Sequence, residues 1–99
     1  TGATASVTQT NLLGGGFGDI NTSEITQSGN LGTALVSQNG QGNASDVTQS
    51  SGGTQVFAGA DSTIADISQI GTDNTSTVTQ SGNAQWAFVD QIGANNTST

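Results

Sequence analysis

The chain has 99 residues and a net charge of −7, and it contains no lysine, arginine, histidine, cysteine, proline or methionine. Lacking any cation, it cannot neutralise phosphates or anionic headgroups, which excludes nucleic acid as a partner and removes the electrostatic reason to bind a membrane surface. Leucine, isoleucine, valine and phenylalanine number only 19, so such a chain orders only if repeated backbone and amide hydrogen bonds replace the missing apolar burial.

The absence of cysteine rules out a disulfide framework and a thiolate metal site. Thr1 is not followed by a basic and then an apolar run, and no apolar stretch approaches ~18 residues, so neither a signal peptide nor a membrane insertion is expected and the chain reads as mature.

The first element is ATASVTQ, residues 3 to 9, in which Ala5, Val7 and Gln9 alternate with polar residues. Alternation with a period of two places those three side chains on one face of a strand. TNLLGGGFGDI, residues 10 to 20, reads as an insertion or a degenerate strand. Its GGGFGD segment has nearly the spacing of a calcium-binding nonapeptide, but the aspartate comes one residue early and the motif occurs once where stacking requires several. A glycine-rich loop is the better reading. The chain is therefore divided into an N-terminal strand and loop, residues 1–20, and a repeat region, residues 21–99.

From residue 21 the same sentence is written repeatedly. Strands are expected at 21 to 27, 32 to 38, 43 to 49, 63 to 69, 74 to 80 and 85 to 91, ending in Gln27, Gln38, Gln49, Gln69, Gln80 and Gln91. Two residues before these glutamines stand Ile25, Val36, Val47, Ile67, Val78 and Val89, and four before them a serine or alanine. Asparagine often opens the strand, as at Asn21, Asn43 and Asn74. About four glycine-rich residues follow each glutamine, as in NGQG at 39 to 42, which is turn chemistry. Counting Gln9, four of the six glutamine intervals are eleven residues. A period this short with apolar residues two apart indicates β structure; a helix would space them by 3.6. Two strand-and-turn units bring the chain back to its starting side, so the expected fold is all-β, a β-solenoid of two-strand rungs with about 22 residues each.

TQVFAGA, residues 54 to 60, keeps the alternation but has Ala60 in the glutamine position. Counting it as a strand gives one stack of 21 to 27, 43 to 49, 63 to 69 and 85 to 91, and an opposite stack of 32 to 38, 54 to 60, 74 to 80 and 96 to 99. Gln27, Gln49, Gln69 and Gln91 then lie in one column about 4.8 Å apart, each amide donating to one neighbour and accepting from the other. Asn43 and Asn74 belong to matching asparagine ladders, and Val47, Ile67, Val78 and Val89 to the apolar columns between them. Glu24, Asp46 and Asp66 occupy equivalent outward positions of the first stack, a solvated acidic face or, less simply, a carboxylate ladder for a cation.

QNGQGNASDVTQ (38 to 49), QIGTDNTSTVTQ (69 to 80) and QIGANN (91 to 96) place glycine two, asparagine five and, in the first two, glutamine eleven residues after a glutamine. This spacing resembles the curlin repeat of curli fibre subunits, over most of residues 21 to 99. The resemblance implies a secreted bacterial β-solenoid that polymerises into an extracellular functional amyloid at the cell surface. It implies roles in biofilm matrix, adhesion and cell aggregation, with itself as principal partner and secretion or nucleation proteins as accessories. The first and last strands would pair head to tail with further copies, because nothing in the sequence blocks those edges with proline or lysine.

Other signals are weaker. With no histidine, cysteine or lysine, catalysis would rest on carboxylates on a flat strand face, so no catalytic site and no cofactor are expected. Asn21, Asn43, Asn74, Asn95 and Asn96 begin N-x-[ST] sequences, several on the inward face. Trp86, Phe88, Leu35 and Phe57 are expected to point outward. Thr75, Thr77 and Thr79 form a T-x-T-x-T row of the kind that could match an ice lattice, but the expected neighbours Thr33, Leu35, Ser37 and Gln55, Phe57, Gly59 do not continue it. A monomeric solenoid that binds ice, or a calcium-dependent adhesin, is the alternative function.

Overall fold

The computed structural model describes residues 2–11, 20–29, 32–51, 63–82 and 85–99. Eight strands run β1 (Thr4–Asn11), β2 (Thr22–Gly29), β3 (Gly32–Gln41), β4 (Ala44–Ser51), β5 (Thr63–Thr72), β6 (Thr75–Ser81), β7 (Trp86–Ala94) and β8 (Thr97–Ser98). The chain alternates between two parallel four-stranded sheets, ordered β1-β3-β5-β7 and β2-β4-β6-β8. These are called the first and second sheet below.

Thr, Val and Ile at alternating positions suit a pleated surface with one face covered. Their inward members form one core: Ala34, Val36, Val47, Ala65, Ile67 and Val78, with Ile25, Ala87 and Val89 packed against it. The core is only a few side chains wide, as the apolar count requires. In the connections from the first sheet to the second, parallel pairing carries on through the bends: Asp73 N donates to Gln41 O at 2.9 Å and Asn95 N to Thr72 O at 3.0 Å.

Those bends fix two glycines. Gly40 and Gly71 have φ of +131° and +126°, which side chains rarely tolerate, and a Cβ on either would overlap the carbonyl oxygen of the next glycine in the stack, Gly71 or Gly93. Three residues on from Ile70 and Ile92, Asp73 and Asn95 take φ of 54° and 58°, a left-handed position that aspartate and asparagine adopt more readily than most residues.

The expected stacks are wrong beyond residue 50. β3 pairs directly with β5, Gln38 opposite Gln69, and β4 pairs with β6, Gln49 opposite Gln80. Residues 63 to 69 therefore belong with 32 to 38 and not with 43 to 49, and 74 to 80 belong with 43 to 49. Gln49 and Gln69 stand twenty positions apart, nine more than the eleven-residue interval. A strand ending in Ala60 would interrupt the amide column; direct pairing keeps glutamine on glutamine. The expected strand at 54 to 60, with Phe57, lies outside the described residues, as does GGGFGD at 14 to 19. Paired positions are separated by 22 residues in β2/β4, β5/β7 and β6/β8, by 31 in β3/β5 and β4/β6, and by 29 in β1/β3.

Candidate functional site: two glutamine columns and an asparagine column

Each glutamine ends the inward face of its strand, where parallel pairing in register sets it against the glutamine of the next layer. In the first sheet Gln9 Nε2 donates to Gln38 Oε1 (2.7 Å), Gln38 to Gln69 (2.9 Å) and Gln69 to Gln91 (2.8 Å). In the second, Gln27 donates to Gln49 and Gln49 to Gln80, both at 2.8 Å. Gln69 and Gln91, expected above Gln27 and Gln49, thus stand in the other column.

The second hydrogen of the same amide crosses to the opposite sheet. Gln38 Nε2 donates to Thr22 O, Gln49 to Thr33 O, Gln69 to Ala44 O, Gln80 to Ile64 O and Gln91 to Thr75 O, at 2.9 to 3.1 Å. These five glutamines, and Gln27 through Thr4 O, therefore staple the sheets together as well as linking layers. Gln38, Gln49 and Gln69 are almost completely buried, where an unpaired amide costs about 1–3 kcal/mol.

A third column precedes the strands of the second sheet. Asn43 Nδ2 donates to Asn21 Oδ1 (3.1 Å), Asn74 to Asn43 and Asn96 to Asn74 (3.0 Å each). The backbone N–H groups of Asn43, Asn74 and Asn96 donate to the same Oδ1 atoms at 3.0 to 3.2 Å. Burial of Asn21, Asn43 and Asn74 leaves no room for a glycan at those three N-x-[ST] sequences.

Backbone groups lock the sense of both kinds of ladder. A carbonyl only accepts, so the glutamine atom facing Thr22, Thr33 or Ala44 must be the NH2. A backbone N–H only donates, so the asparagine atom facing it must be the oxygen. Glutamines consequently donate from β1 toward β7, and asparagines donate the opposite way, toward Asn21. The two series of amide dipoles run antiparallel, and within each series every bond polarises the next.

The apolar columns are re-sorted in the same way: Val47 pairs with Val78 in the second sheet and not with Ile67, which pairs with Val36 and Val89 in the first. Beside them the sheets differ. The small inward residue is alanine in the first sheet (Ala34, Ala65) and serine in the second, where the Oγ atoms of Ser23, Ser45 and Ser76 are buried without a hydrogen-bond partner.

The acidic ladder is shorter than expected. Glu24 is paired with Asp46 and Asp46 with Thr77, whereas Asp66 lies in the other sheet between Leu35 and Phe88. Among the described residues no group of three or more acidic side chains is placed to hold a metal ion. The threonine row is also reassigned. Thr75, Thr77 and Thr79 lie beside Ala44, Asp46 and Thr48, and Thr48 lies beside Thr26, so hydroxyls continue across the sheet in one column of the three. Leu35 shares the outer face of the first sheet with Phe88.

Gln9, Asn21 and Asn96 complete the columns and were passed over as site residues by sequence reasoning. They stand at the same offsets as the residues that were chosen, and the irregular spacing on either side of residues 10 to 20 and the short final segment hid them.

Glycine at 71, asparagine at 74, glutamine at 80 and 91, glycine at 93 and asparagine at 96 are now placed by geometry as well as by spacing. Residues 71–99 match the family model of the curlin associated repeat. The matched curlin stretch spans β6 to β8, including the last amides of all three columns. The curlin spacing of glutamine, glycine two later and asparagine five later also occurs from Gln38, whose layer joins the matched stretch through Gln38–Gln69 and Asn43–Asn74. No curated protein and no solved structure gives a match to the chain.

Proposed function

We propose that the chain is a structural subunit of a curli-like extracellular filament, in which it forms a β-solenoid with coils of 22 to 31 residues that stack head to tail. Function resides in polymerisation: the filament contributes to biofilm matrix, adhesion and cell aggregation at a bacterial surface, assisted by secretion and nucleation proteins. No chemistry is assigned to any side chain.

The observation that carries this reading is the complementarity of the two ends. β1 and β2 stand at one end of the sheets, β7 and β8 at the other. At the first end the glutamine columns finish in the acceptor atoms Gln9 Oε1 and Gln27 Oε1; at the other, Gln91 Nε2 keeps a hydrogen beyond the one it gives Thr75 O. The asparagine column finishes in the acceptor Asn96 Oδ1. A second copy placed with its β1 against β7 sets Gln91 against the next Gln9, and Asn96 against the next Asn21. Donor then meets acceptor in the glutamine column at once, and in the asparagine column when Asn21 Nδ2 exchanges its 3.3 Å bond to Thr10 O for Asn96 Oδ1. Two like ends brought together oppose like atoms, so the ladders favour an open head-to-tail assembly over a closed pair.

Incubation at neutral pH should give fibres with a cross-β reflection near 4.8 Å. Replacing Gln49 and Gln69 by leucine breaks one amide column in each sheet and should slow assembly by about tenfold or more, or shift its register. Folded monomer that persists for days at high concentration, or unchanged growth and morphology in the double variant, would reject the reading.

One observation favours the monomeric binding module: Thr26–Thr48–Thr79 and Ser28–Ser50–Ser81 form adjacent hydroxyl columns on the outer face of the second sheet. Thermal hysteresis in a solution of monomer would select it.

A further inference from the structure

The largest exposed apolar groups on the described surface sit together. Trp86 and Phe88 project from the outer face of β7, 69% and 66% exposed, with ring centroids 6.4 Å apart and planes at 80°. Neither contributes to the core or to the amide columns. Asp66 is the register partner of Phe88 on β5, and Asp90 is the next outward residue along β7, about 7 Å further on. The two aspartates, Ser68 and Phe88 help line a depression of about 280 Å³.

We propose that this corner is a docking site for an extended peptide segment carrying arginine, on a cationic partner protein. Perpendicular rings leave electron-rich faces open beside two carboxylates, so a planar guanidinium can stack on a ring while its N–H fork reaches an aspartate. The chain contains no lysine, arginine or histidine, so no side chain of its own supplies the counter-charge. A second copy brings only more carboxylate to the same face, which disfavours pairing of this surface with itself. Arginine is preferred to lysine because the ring-and-carboxylate pair rewards a flat, forked cation over a point charge. The site lies within β5 and β7 of one chain, so it is present whether or not filaments form.

The test uses monomer kept below the concentration at which it assembles. The probe is a ten-residue peptide of alternating arginine and glycine, with a citrulline-for-arginine peptide as its uncharged isostere. Trp86 is the sole tryptophan, so its emission reports binding at the corner itself. The expected result is a saturable change in emission with the arginine peptide and binding about tenfold or more weaker with the citrulline peptide. Asp66→Asn with Asp90→Asn should weaken binding about fivefold, while Glu24→Gln with Asp46→Asn on the other sheet leaves it unchanged. Trp86→Leu, followed by anisotropy of dye-labelled peptide, should weaken it by a similar factor. Equal binding of the citrulline peptide would overturn the proposal. So would equal losses in the two acidic double variants, which indicate net-charge attraction only, or no loss in Trp86→Leu. A monomer that sediments as a dimer until Phe88→Ser is introduced would assign the corner to a second copy instead. All substitutions are on outward side chains, and circular dichroism verifies that each variant keeps its strands.

Discussion

The two faces of the first sheet obey different rules. Read across β1, β3, β5 and β7, the inner columns are Ala5–Ala34–Ala65–Ala87, Val7–Val36–Ile67–Val89 and Gln9–Gln38–Gln69–Gln91. The outer columns of the same strands are Thr4–Thr33–Ile64–Trp86, Ser6–Leu35–Asp66–Phe88 and Thr8–Ser37–Ser68–Asp90. Inside, the principal partner of a residue is its own counterpart one layer away, so identity is enforced by packing and by amide pairing. Outside, the partner is water, and the composition drifts from hydroxyls on β1 to aromatic and acidic side chains on β7.

The strongest way to break that contrast is to write one residue on both faces. Gln69→Glu removes the donors to Ala44 O and Gln91 Oε1 and sets a buried carboxylate against two oxygens, at a cost of about 4 kcal/mol in urea denaturation of the monomer at pH 7. The same glutamate at the exposed Ser37 should change stability by less than about 0.5 kcal/mol. Burial and the facing oxygens raise the carboxyl pKa of the folded Gln69→Glu variant above its unfolded value. Its deficit should therefore shrink below the unfolded pKa and become complete only as pH rises through the folded one. Denaturant midpoints at acid and neutral pH measure this.

The next effect belongs to the bends. Gly71→Ala puts a Cβ against the Gly93 carbonyl at a φ of +126° and should cost about 3 kcal/mol by the same assay. The smallest effect sharpens a comparison between the sheets. Ser45→Ala deletes a buried hydroxyl without a partner and gives the second sheet the alanine that the first sheet has at that position, so it should stabilise by about 1 kcal/mol. A destabilised Ser45→Ala protein would mean that the hydroxyl has a partner in solution.

Much of this was legible in the sequence because a strand period of two and an interval of eleven act locally. Which side chains of Ser23 to Gln27 or Ser76 to Gln80 face inward follows from alternation alone. The pairing of strands did not follow, since it is a nonlocal property that depends on how many residues each connection absorbs. The twenty-position interval from Gln49 to Gln69 divides equally well into two short repeats or one repeat with a long connection, and apolar alternation in TQVFAGA pointed to the first. The missing glutamine at Ala60 was the better guide, because a layer ending there would leave a gap in a column of amides, and Gln38 is set directly against Gln69. The same misassignment produced the three-membered acidic ladder; Asp66 left it when its strand changed sheets.

Locked amides also give a stack unequal tips. At one tip an incoming chain would meet glutamine acceptors; at the other it would meet a glutamine donor beside an asparagine acceptor. Growth rates at the two tips need not match, and a capping molecule built for one has the wrong polarity for its opposite. A filament built head to tail from this chain would be an arrow, with a direction written by which backbone atom each carboxamide faces.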